Sequence, residues 1–142
     1  MKGLSDSTLN NLWRRAVLIS WGFDPNKAGS LECHHWAVKR KHKLTRWKYT
    51  NGIPLCSLHD EGCPLCLTKQ KYCEETGQRM SCHQFAHLGL GLLAIIELAG
   101  KEIHEKLVKL GSDTIKNYCA KNGITERDYI FGIKRELEEI CA

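Results

Sequence analysis

The sequence predicts an α+β fold: a small two-stranded core, an N-terminal helix, a Cys/His-rich insertion and a C-terminal helical region. Three observations carry this. Apolar residues recur with helical period at both ends of the chain, two short β-prone stretches bracket a basic loop near residue 45, and five of the eight cysteines fall between Cys56 and Cys82. A chain of 142 residues buries only a modest core, so metal crosslinks would help it. The expected division is a core with its N-terminal helix and insertion over 1–83, and a helical region packed on it over 84–142.

The first element expected is an amphipathic helix from Ser5 to Ser20. Leu9, Leu12, Trp13, Ala16 and Val17 fall on one face, with Ser5 or Ser7 as N-cap. Arg14 and Arg15 lie off that face, free for solvent or for phosphate. Residues 21–30, WGFDPNKAGS, are turn chemistry. Strands are expected over Leu31–Val38 and Asn51–Cys56, the second opened by an Asn-Gly turn. A helix is expected from about Ser57, with His59 and Asp60 in its first turn. Gly62 to His87 reads as a loop or knuckle held by metal. Beyond it, the run from Leu92 to Leu110 is helical with a break near Gly100. Helices from Asp113 to Lys121 and from Thr125 onward follow, the last with a capping-box-like start.

The formal net charge is +5. The cations cluster between the strands, where Lys39, Arg40, Lys41, Lys43, Arg46 and Lys48 interleave with Trp47 and Tyr49. Lys and Arg supply most phosphate contacts, and aromatic rings either stack on bases or pack a loop down. That density favours a nucleic-acid partner over a merely solvated face.

The opening residues lack an apolar h-region and a small-residue cleavage site, so no secretory signal is expected. The longest apolar stretch, Leu88 to Ala99, is too short and too broken to span a bilayer. The expectation is a protein of the cytoplasm, or of the host cytoplasm if phage-encoded, with no membrane partner. In that reducing setting, Cys-x-x-Cys suggests metal ligands before disulfides. Cys56, Cys63, Cys66, Cys73, Cys82, His59, His83 and His87 are the structural zinc candidates, enough for one or two ions. Lone Cys119 and Cys141 read as small buried hydrophobes.

Adjacent His34 and His35, then Asn51, then a Cys/His/Asp cluster resemble the HNH endonucleases. That family's ββα-metal core is a β-hairpin and a helix clasping one ion. "LTRWKYTNG" is similar to phage-encoded HNH proteins, including those like the NinG recombination protein, over about Trp13 to Asp60. The resemblance implies a metal-dependent DNA endonuclease, in phage or prophage DNA recombination or processing. By it His34 binds the catalytic ion, His35 is the general base and Asn51 orients the base or pins the loop, although an Asn-Gly turn alone would also explain Asn51. The ion would be Mg²⁺ or Mn²⁺, with Ni²⁺ or Zn²⁺ as alternatives. Two histidines next to each other point to opposite faces of a regular strand, so a shared site requires the strand to end there.

The third element departs from the family pattern. Related motifs read Leu-Cys-x-x-Cys-His or Leu-Cys-x-x-His-His, the last His binding the catalytic ion and its predecessor structural zinc. Here Leu55-Cys56-Ser57-Leu58-His59-Asp60 puts Asp60 in the catalytic position and His59 in the structural one. The alternative keeps His59 as catalytic ligand. The family's frequent Cys-x-x-Cys before the first strand is missing. A zinc-stabilised DNA-binding module without catalysis is the rival function, and an adaptor using its C-terminal helices toward protein partners is a third. The sequence leaves the oligomeric state open.

Overall fold

A computed structural model describes residues 5–57 and 61–142. Among them are seven helices and one antiparallel two-stranded sheet. Helix α1, Asp6–Ser20, starts where Ser5 accepts from the Thr8 amide. It buries Leu9, Trp13, Ala16, Val17 and Leu18, the face its periodicity predicts with Leu18 added and Leu12 only half-buried. Strand β1 is Glu32–His35, shorter than the Leu31–Val38 expected. It pairs with β2, Gly52–Leu55, with His34 opposite Ile53 and His35 opposite Gly52.

The 16 residues between the strands form a loop closed by a 3₁₀ turn, Tyr49–Asn51. Asn51 is fully buried and ties both ends of it. Its Oδ1 accepts from the amides of Ala37 at 2.9 Å and Val38 at 3.3 Å, and its Nδ2 donates to the carbonyls of Val38 at 3.1 Å and Thr45 at 3.5 Å. Gly52 lets the hairpin lie directly on α1, because a Cβ there would meet Trp13 at 2.7 Å and collide with Val17.

After β2 the chain departs from expectation. Ser57 is not helical, Leu58 to Asp60 lie outside the described residues, and the insertion is largely helical rather than a loop. Helix α2, Cys66–Thr76, ends at Gly77 in the left-handed region. The five-residue α3, Cys82–Ala86, opens with a full capping box between Ser81 and Gln84. Two helices, α4 (Gly89–Ala99) and α5 (Lys101–Gly111), meet at Gly100 as the sequence predicts. The last two, α6 (Ile115–Asn122) and α7 (Glu126–Cys141), are capped by Thr114 and Thr125.

Two hydrophobic clusters result. One joins β1, β2 and α2–α5 around Ile53, Leu55, Phe85, Ile95 and Leu107. The other packs α1 on α6, α7 and the loop around Trp13, Leu44, Trp47, Tyr129 and Leu137. The C-terminal helices also grip the loop directly. Tyr129 donates to the Leu44 carbonyl at 2.7 Å, His42 Nε2 bonds the Asp113 carbonyl at 2.9 Å, and His104 stacks on Trp36. A boundary at residue 83 falls inside α3, whose Cys82, Phe85 and Ala86 all belong to the first cluster. No helix of the described residues is long and apolar enough to cross a membrane.

Candidate metal centres

Cys56, Cys63, Cys66 and Cys82 converge in the first cluster, all buried. Their sulfurs lie 3.4 Å (Cys56–Cys66), 3.5 Å (Cys63–Cys66) and 3.8 Å (Cys66–Cys82) apart, and none is in a disulfide. Four sulfurs at about 2.3 Å from a tetrahedral zinc stand about 3.8 Å from one another, so the site has the size zinc requires. The thiols already behave as one group. Cys82 donates to Cys66 and Cys66 to Cys63, and the neighbouring thiols hold Cys63 down at about 5, whereas those neighbours and burial push Cys82 up. A cation gathers all four as thiolates and relieves that competition. Such a closed sulfur set suits a structural ion.

Cys73 joins neither this set nor another: it sits half-buried on α2. His83 and His87, expected among the structural zinc candidates, also stand apart from the sulfurs. Cys82 and His83 are consecutive on a helix, so their side chains diverge by about 100°. Cys82 turns into the core and His83 turns out toward β1.

There His83 and His87 meet His34. One turn of helix, i to i+4, puts the first two on one face, and their rings lie 4.9 Å from that of His34. The three ligand nitrogens fall within 4.8 Å of one another, with His34 and His83 half-buried and His87 exposed. Glu32 Oε2 stands 3.0 Å from His83 Nδ1. That bond makes Nδ1 the donor and leaves the lone pair on Nε2, the orienting role that carboxylates play behind metal-bound histidines. Burial, then the neighbouring imidazoles of His83, His87 and His35, lower His34 to about 4. It is therefore neutral and able to ligate at neutral pH. Three imidazoles leave at least one coordination position open.

The pleat explains who meets whom. Glu32 and His34 share one face of β1, toward α3. Cys33 and His35 share the other, toward α1, where Cys33 Sγ contacts the Arg14 carbonyl. The strand stays regular through His35, so the paired histidines do not join one ligand set. The His35 ring stacks flat on Trp13 at 4.1 Å, and its Nε2 lies 2.8 Å from the Arg46 carbonyl. A carbonyl only accepts, so Nε2 carries the proton and Nδ1 keeps its lone pair. Burial lowers the His35 pKa, against the raising effect of that carbonyl. Both histidines nevertheless border one groove of about 1010 Å³, with His83, His87, Arg14 and Arg40. His59 and Asp60 lie outside the described residues.

The basic loop divides. Lys39, Arg40, Lys41 and Lys43 are exposed. Arg46 is paired with Asp6 at 3.3 Å and lies over the Trp47 ring, and Lys48 reaches Glu136 at 3.7 Å. Trp47 is 7% exposed and donates to Asn10 Oδ1, so it serves the core and offers no face to a base. Composition marks this loop as basic, but which cations face outward depends on the acids of α1 and α7.

Glu32 and Trp13 emerge as site residues only in three dimensions, whereas Arg14, read from the sequence as free for solvent or phosphate, borders the groove. Glu32 had one sequence signal, its place two residues before His34 on a strand. Compared with protein-family models, curated proteins and solved structures, the chain has no significant match.

Proposed function

We propose that the protein is a metal-dependent endonuclease of the HNH type, hydrolysing DNA phosphodiesters at the His34–His83–His87 centre. The observation that carries this is the convergence of three imidazoles on an open groove, beside a fourth whose tautomer is fixed and whose rim is cationic. A gapped reading of the family pattern supports it. Leu55-Cys56 and Cys82-His83 supply the Leu-Cys and Cys-His ends of the motif, with residues 57–81 inserted between them. On this reading the Cys63-x-x-Cys66 pair missing before β1 sits within the insertion.

His34, His83 and His87 hold the divalent ion, with Glu32 orienting His83. When bound, that ion supplies Lewis-acid stabilisation of the phosphoryl charge and of the leaving oxygen. His35 Nδ1 accepts a proton from the attacking water, while Nε2 stays anchored on Arg46 and Trp13 holds the ring plane. Arg40 and Lys39 bring cations to the groove wall for the flanking phosphates. Asn51 fixes the loop that presents the Arg46 carbonyl, so it acts on the base indirectly.

The test is plasmid cleavage with Mg²⁺, Mn²⁺, Ni²⁺, Zn²⁺ or EDTA. Cleavage that needs metal and falls about 10²–10⁴-fold in His35→Ala supports the reading. DNA retention without cleavage under any metal would leave a zinc-stabilised binding module instead.

A further inference from the structure

A second cavity, of about 870 Å³, opens beside the start of α3. It shares Glu32, His83 and His87 with the larger groove, so the two concavities meet at the imidazole centre. Its remaining charged lining residue is Arg79. Among the described residues no carboxylate pairs with this exposed guanidinium. The polar neighbours are already engaged. Ser81 Oγ accepts the Gln84 amide, and Gln84 Oε1 accepts the Ser81 amide. Glu32 is engaged by His83. Among the described residues Arg79 is thus an uncommitted cation two residues before an anchored cap, and it lines one cavity while Lys39 and Arg40 line the other.

A phosphodiester has two ester arms, so a scissile phosphate bound at the junction would have one cavity open to each arm. We infer that the cavity around Arg79 is a substrate subsite, in which the guanidinium binds the phosphate next to the scissile one. The inference rests on the nuclease reading and deepens it. The substrate is a strand that crosses the centre, with phosphates gripped on both sides, rather than a terminal or isolated phosphodiester. A planar guanidinium suits such a phosphate because it can donate two parallel hydrogen bonds.

The test compares two substrates with Mn²⁺: a short oligonucleotide, which spans both cavities, and bis(p-nitrophenyl) phosphate, which reaches only the junction. Arg79→Ala is expected to raise KM for the oligonucleotide about tenfold more than for the small diester, the equivalent of one charge-assisted hydrogen bond. Arg79→Lys should recover part of that difference. In parallel, the salt dependence of oligonucleotide binding without added Mn²⁺ should lose about 0.7–0.9 from its log–log slope in Arg79→Ala. Equal losses on both substrates, or oligonucleotide KM and salt slope both unchanged, would overturn the subsite. If the wild type cleaves neither substrate, the nuclease reading fails, and the binding slope still decides whether Arg79 contacts a phosphate.

Discussion

Cys82 and His83 are neighbours in the chain, yet each belongs to a different kind of site. The cysteine cluster is buried on all four members, and its spacings match a tetrahedral ion with no room for another ligand. The histidine cluster is half-exposed, has three members and faces a groove. Burial and ligand count thus separate a site that stabilises from a site that can react. The two are also joined. The His83 amide donates to the Cys56 carbonyl at 3.1 Å, so the sulfur site sets the position of the helix that carries His83 and His87.

The strongest way to break this comparison is to remove one sulfur. Cys82→Ser should forfeit much of the roughly 10–16 kcal/mol that a structural zinc contributes to folding. Loss of cooperative melting, together with loss of metal at both sites, is the expected result; an intact imidazole site in this variant would show that the two are independent. The reverse substitution is selective. His83→Ala should leave the sulfur-bound ion and the melting transition in place while cleavage falls by at least about 10²-fold.

Asn51→Ala tests the frame between the sites. Four backbone groups of the loop lose their partner, and about 2–4 kcal/mol of stability should go with them, read by denaturant unfolding.

That frame was only partly legible in the sequence. The α1 face, the break at Gly100 and the Thr125 cap follow from local periodicity and capping chemistry, and they stand in the structure. Asn51 pins the loop, as the motif reading anticipated. The partners of His34 were not legible, because they lie on α3 and its C-cap at the end of the insertion, and only packing across the first cluster brings them to β1. The His83-x-x-x-His87 spacing was a helical-face signal, overshadowed by the cysteines around it. Trp47 misled for a related reason, since composition cannot say which way a ring turns.

Smaller effects sharpen the contrast further. Glu32→Gln should weaken metal binding at the imidazole site about 10–100-fold and leave the sulfur site untouched, as measured by metal titration. Acid should act through His34. Its folded pKa of about 4 lies below the ordinary 6.5, so protons favour the unfolded chain throughout that interval. With the imidazole site emptied by a mild chelator, the melting temperature should therefore fall as pH drops from 6.5 toward 4, the His34 contribution levelling off below. His34→Gln should flatten part of that slope.

The central claim is that one chain holds a closed sulfur site and an open imidazole site of different character. Metal counting during stepwise chelation tests it most directly. The account predicts two equivalents of divalent metal per chain: the first stripped by a mild chelator, with cleavage lost and the melting transition kept, and the second removed only as the fold collapses. A single equivalent, bound by the cysteines and unaffected by His34→Ala or His83→Ala, would contradict it.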